Sequence, residues 1–218
     1  MLHYIQTLLG QLDLSTALDA VLRVASVLLC LTVHETCHGL AALSLGDRTA
    51  KELHRLSFNP LRHIDWLGLA MMFAVGFGWA KPVPVDPRYF KDPKRGMALT
   101  ALAGPLSNFV LALALLLASR GIYLYAEYTP LWDGIFNFLH TTAILSIGLG
   151  LFNLIPIPPL DGSKVVGALL PDRAYFTLMR YERYGMLLLL LLSFANVGGG
   201  LIGRGISGVY TAMVNLIY

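Results

Sequence analysis

The length of the uncharged runs in this chain limits its fold more than any other feature. Residues 97–119 and 185–203 carry no charged side chain, and residues 134–158 have His140 as their one readily titratable group. A helix needs about 20 apolar residues to cross a hydrocarbon core of about 30 Å, and each of these runs is long enough. Residues 15–45 make a fourth, despite Asp19 and Arg23 near its start. With 56% of the 218 residues hydrophobic and only 13% charged, the expected solvent is lipid. Lipid offers no partners to open backbone groups, so the spans have to be helical. The expected fold is therefore a single all-α membrane domain over residues 1–218, with about four transmembrane helices.

Shorter pieces complete that plan. Residues 66–80 are apolar but short, with glycines at 68, 76 and 78, which suits a re-entrant or interfacial element. Residues 1–14 have no positively charged start of a removable leader and read as an interfacial segment. Lys81-Pro82-Val83-Pro84-Val85-Asp86 cannot be helical, because alternating prolines force an extended backbone. It is the one small strand element expected, and an exposed strand of this kind can pair with a peptide. Cys30 and Cys37 lie about 10 Å apart on a helix, too far for a disulfide.

Basic residues set the expected orientation. Nine fall between residues 46 and 96, one between 120 and 133, and four between 159 and 184. Both basic stretches should face the cytoplasm, with both termini outside. The net charge of +3 is spread through loops with no basic-aromatic ribbon, so nucleic acid is not an expected partner. The glycine-rich region 198–208 invites close helix packing, within the molecule or between copies in a homo-oligomer.

The chemistry begins at His34-Glu35-Thr36-Cys37-His38. Histidines four apart share a helix face and can meet one ion, and a glutamate beside the first can act on water at that ion. Two chance histidines on one face are the bland alternative. Ionisable groups inside a membrane helix are expensive, however, and that favours function. A third ligand has to come from elsewhere. Asp161 follows Asn153-Leu-Ile-Pro-Ile-Pro-Pro-Leu160, whose prolines break the third span and leave irregular backbone at membrane depth. Asp161 also reads as an N-cap for a helix over residues 163–170. His54, His63, Asp65 and His140 are rival ligands, and Cys37 points off the histidine face.

Four blocks stand in order along the chain: H-E-T-C-H at 34–38, N-P-L-R-H-I-D at 59–65, A-G-P-L-S-N at 103–108 and N-L-I-P-I-P-P-L-D-G at 153–162. With G-W-A-K-P-V-P-V between the second and third, the chain resembles the site-2 protease family of intramembrane metalloproteases, peptidase family M50, in its short bacterial form. The resemblance covers about residues 33–170, with no room for an inserted PDZ module. It implies one zinc ion per chain on His34, His38 and Asp161, and Glu35 as the group that activates water. It also implies a transmembrane segment of another protein as substrate, and Asn108 facing the active site as a partner for the substrate carbonyl. Asn108 reads equally as a polar helix-packing residue beside Gly104 and Ser107. Strand addition along Lys81, Pro82, Val83, Pro84 and Val85 would hold an unwound substrate. A membrane metal transporter using the same ligands as a transit site is the competing class. It fits less well, because only the cytoplasmic flank is rich in polar residues.

Overall fold

The computed structural model describes residues 14–75, 79–194 and 199–218. Its spine is three long helices, α1 (Leu14–Ser44), α4 (Pro93–Tyr125) and α5 (Pro130–Asn153). Between α1 and α4 lie the single turn α2 (Thr49–Glu52) and the short helix α3 (Trp66–Val75). After α5 come α6 (Asp161–Gly167), α7 (Asp172–Arg180), α8 (Glu182–Phe194) and α9 (Gly199–Ile217). Three stretches are long and apolar enough to cross a membrane: Leu18–Ser44, Pro93–Tyr125 and Pro130–Asn153. The chain is an all-α integral membrane protein. The fourth expected span, 185–203, runs from α8 into α9 across residues 195–198, which lie outside the described residues, as do 1–13 and 76–78.

Two of the spans begin earlier than their apolar windows suggest, and capping explains the difference. The Asp92 side chain accepts from the Arg95 N–H with Pro93 in the first turn of α4, and Thr129 accepts from the Trp132 N–H with Pro130 in the first turn of α5. These caps satisfy donors that a helix start otherwise leaves open, and proline costs nothing there. At the other end of α1, Gly46 takes φ +108°, a left-handed backbone that glycine adopts without strain, and turns the chain out of the helix. Helix α5 stops at Asn153, before the prolines at 156, 158 and 159.

Helix α4 is the centre of the bundle and touches α1, α5, α6 and α9. Lipid tails are as apolar as leucine, so close packing and polar contacts hold such helices together more than burial does. Ala112, Leu116, Ala143, Ile147 and Ile217 form the buried core of α4, α5 and α9. A Cβ on Gly150 would lie 3.2 Å from the Pro105 carbonyl, so this glycine lets α5 approach α4 closely. Polar contacts reinforce the packing: Ser26 and Thr142 share a 2.7 Å hydrogen bond between α1 and α5, and Ser146 donates to the Asn108 carbonyl at 2.8 Å. The extended segment after α3 makes one antiparallel bridge, Ile64 with Ala80, and then runs past α1. An apolar cavity of about 440 Å³ opens between α1, α3 and α5, with His63, Trp79 and Ala80 on its wall.

Candidate active site

Helix α1 delivers its two histidines to a single face, and both are buried. His34 Nε2 and His38 Nε2 lie 3.0 Å apart, and the Asp161 Oδ2 lies 3.1 Å from the first and 3.2 Å from the second. Asp161 is 8% exposed and opens α6. It is not the N-cap of that helix: Leu160 holds that position, without a side-chain cap bond, and the carboxylate turns to the imidazoles instead. Gly162 allows this, since a Cβ there would lie 2.2 Å from the Leu154 carbonyl oxygen. Among the described residues, His34, His38 and Asp161 are the one group of three or more His, Cys, Asp or Glu side chains able to hold a metal ion.

The donor set fits a divalent cation. His38 Nδ1 meets the Thr100 carbonyl at 2.7 Å, and a carbonyl only accepts, so this nitrogen carries the proton. In a neutral His38 ring Nε2 is then a bare lone pair. It faces the Asp161 carboxylate oxygen at 3.2 Å, two acceptors that a shared cation relieves. Metal bonds of about 2.0–2.2 Å in a tetrahedral site place ligand atoms about 3.4 Å from one another. The three separations found here are within a few tenths of an ångström of that value. Of the three side chains, Asp161 is the one that brings a negative charge to the shared point.

The wall behind the rings is Gly104 of α4. A Cβ there would lie 2.4 Å from His38 Nε2 and 2.7 Å from His34 Cε1. Pro105 follows, and its missing N–H leaves open the Ala101 carbonyl, next in sequence to the Thr100 carbonyl that meets His38. In front is a cavity of about 310 Å³, with Glu35, Pro82, Val83, Val85, Asn153 and Lys164 on its walls beside the three ligand candidates. Glu35 Oε2 accepts from the Val83 N–H at 2.8 Å, which ties the extended segment to the motif.

The structure thus brings together His34, Glu35, His38, Asp161, Pro82, Val83 and Val85. Lys81 and Pro84 belong to the same segment but do not line the cavity. Asn108 is fully buried one turn beyond Gly104, does not line the cavity either, and has no partner for either amide atom among the described residues. The rival ligands are elsewhere: His63 Nε2 donates to the Ser57 carbonyl, and His140 Nδ1 lies 2.6 Å from the Tyr210 hydroxyl. Cys30 and Cys37 are free thiols. Sequence reasoning missed Thr100, Lys164 and Asp47. The Asp47 carboxylate is buried and accepts the Asp86 N–H at 2.8 Å, fixing the far end of the extended segment.

The family model described as Peptidase family M50 matches residues 121–194, which include α5 and Asp161. The chain is 36% identical over 180 residues to YwhC of Bacillus subtilis, covering 80% of this chain and 81% of that protein. It is 31% identical over 183 residues to Rip2 of Mycobacterium tuberculosis, covering 80% and 67% respectively. Over 102 residues it is 43% identical to MJ0611 of Methanocaldococcus jannaschii, 45% of this chain and 47% of that one. All three are provisionally named zinc metalloproteases. No solved structure matches this chain.

Proposed function

Because the chain belongs to peptidase family M50, and is thus a zinc metallopeptidase of the membrane, we propose that it cuts other membrane proteins within or near their transmembrane segments. The observation that carries this reading is the convergence of His34, His38 and Asp161 at a buried point between membrane-spanning helices, with Glu35 on the same cavity. One zinc ion per chain would be held by those three side chains. When bound, zinc polarises water and the scissile carbonyl as a Lewis acid.

The remaining chemistry belongs to the protein's own residues. Glu35 takes a proton from the attacking water and passes it to the leaving amine, with its Oε2 steadied by the Val83 N–H. The Thr100 carbonyl fixes the His38 tautomer, and Gly104, having no side chain, leaves room for both rings against α4. A substrate helix must unwind before its peptide bonds can be reached, and residues 81–85 offer it an extended partner. For the Asn108 amide, unpaired among the described residues, to meet the substrate carbonyl, the wall between it and the cavity would have to open, since the side chain is fully buried.

Depth in the membrane follows from helix geometry. His38 lies six residues before the end of α1, about 9 Å at 1.5 Å per residue, and Thr100 and Asp161 lie equally near the basic loops. With those loops cytoplasmic, as their charge favours, the site opens toward the cytoplasm and water enters from there. The bacterial relatives point to a plasma membrane location.

The test is cleavage of a panel of single-span proteins by the purified enzyme in detergent, with zinc measured in each sample. Glu35→Gln should retain zinc and lose more than about 100-fold in kcat. Zinc in both with no cleavage of any membrane substrate by the wild type would overturn the reading.

A further inference from the structure

Around Glu35 the hydrogen bonds close into a ring, and His63 sits at its turning point. The Ser57 carbonyl accepts two donors, Thr36 Oγ1 of α1 at 2.9 Å and His63 Nε2 at 2.7 Å. Thr36 is the neighbour of Glu35 in the motif. The His63 backbone carbonyl in turn accepts the Lys81 N–H at 2.9 Å, beside the Ile64–Ala80 bridge. Two residues later the Val83 N–H returns to Glu35 Oε2 at 2.8 Å. Every link from Glu35 through Thr36, Ser57, His63 and Lys81 back to Glu35 is covalent or a hydrogen bond of at most 2.9 Å.

The ring is anchored outside as well. Arg55 donates to the Lys81 and Pro82 carbonyls, and Asp47 accepts the Asp86 N–H. Those contacts fix where the segment starts and ends, whereas His63 fixes how far it stands from α1. The ring is 3% exposed, its Nε2 must carry the proton to donate to a carbonyl, and its Nδ1 has no partner among the described residues. A buried imidazole that spends one nitrogen on a main-chain carbonyl and leaves the other bare is a poor choice for filling space, and it joins no metal-binding group. Its contribution is the spacing between two backbones.

We propose that His63 is a positioning residue for the reaction: through Ser57 and Lys81 it holds the extended segment where the Val83 N–H meets the Glu35 carboxylate. Glu35 Oε1, with no hydrogen bond among the described residues, is thereby left to take the proton, and residues 81–85 stay straight for a substrate strand. This inference rests on the proposed function for its link to catalysis, but its structural half does not depend on turnover.

Two variants test it in the purified full-length protein, His63→Ala and His63→Gln, whose amide can still donate to Ser57. Exchange of the Lys81 and Val83 amide hydrogens, the bonded N–H groups of the segment, should rise at least about tenfold in the alanine variant and stay near wild type in the glutamine variant, with α4 and α5 unchanged in both. Zinc content should match wild type throughout, while kcat of His63→Ala falls about tenfold or more and that of His63→Gln recovers most of the loss. Unchanged exchange at Lys81 and Val83 in His63→Ala overturns the proposal, as does exchange raised uniformly along the chain, which marks general destabilisation. If the wild type cleaves and His63→Ala keeps full kcat, the catalytic half is refuted while the protease reading stands. If the wild type cleaves nothing, the protease reading fails and exchange alone decides whether His63 holds the segment.

Discussion

A methyl group at position 104 tests the site at its tightest point. In Gly104→Ala the new Cβ would sit 2.4 Å from His38 Nε2, 2.5 Å from His38 Cε1 and 2.7 Å from His34 Cε1. Ordinary contact begins at 3.4 Å, so the nearest atom must retreat by 3.4 − 2.4, about 1.0 Å. His38 cannot simply swing aside, because its Nδ1–H is held by Thr100 on the same helix one turn away. If α4 moves back instead, it takes Thr100 with it and pulls on the same ring. Either response displaces a ligand nitrogen several times further than the roughly 0.2 Å that metal sites tolerate. The expected result is a weaker zinc site and a loss of about 100-fold in kcat/KM, the scale on which an ångström of misplacement acts. Zinc affinity would be measured by competition with a chelator, and turnover on a cleaved single-span substrate. Gly121→Ala on the same helix is the control, since no atom lies within 4 Å of its Cβ position, and it should behave as wild type in both assays. Gly104→Ala with zinc affinity and turnover within about twofold of wild type would refute the placement of α4 against the rings.

Asp161→Asn keeps the size of the side chain and one acceptor oxygen but removes the charge opposite two imidazoles. Its zinc affinity should fall by more than about 100-fold, beyond the range seen for residues that only support a ligand, and chelator competition reads this directly. Ser26→Ala deletes the hydrogen bond to Thr142 far from the site. Unfolding in detergent should show a loss near 0.6 kcal/mol, typical of polar contacts between membrane helices, with kcat unchanged.

The histidine pair and its glutamate stood plainly in the sequence, because a four-residue spacing on a helix is a local property. Asp161 was legible through the prolines before it, although only the fold shows that α6 turns it back across 127 residues to His34. The starts of α4 and α5 were also present in the sequence, as Asp92-Pro93 and Thr129-Pro130, but they lie outside the apolar windows that delimit spans. What could not be read were the contacts that use main-chain atoms: Thr100 to His38, Val83 to Glu35, and Ser57 to both Thr36 and His63. A carbonyl or an N–H has no residue-type signature, so its partner is fixed only when two distant backbones meet. His63 is the instructive case: a histidine close to the expected site in sequence reads as a rival ligand, while its actual bond is to a carbonyl.

The distribution of satisfied and unsatisfied polar groups separates structure from function in this bundle. An unpaired polar atom inside a protein in lipid is costly, so polar residues kept for helix packing should be saturated. They are: Ser26 with Thr142, Ser146 with the Asn108 carbonyl, and Ser119 with Tyr218 each have their partner. Buried atoms with no partner among the described residues fall largely elsewhere. Thr32 Oγ1 and His34 Nδ1 lie on one turn of α1, and Thr100 Oγ1 and the Asn108 amide lie on the turns of α4 that flank Gly104. His63 Nδ1 belongs to the ring of contacts behind Glu35. Arg55 Nε, on a side chain that also braces residues 81–82, fits the same pattern, and His140 Nε2 beside Tyr210 is the exception. Open hydrogen-bonding capacity concentrated on two facing helices is what a site needs if it must take in water and an unwound peptide whose own backbone groups have lost their helical partners. A bundle built only to pack would have no reason to leave those groups open there and close nearly all the others among the described residues.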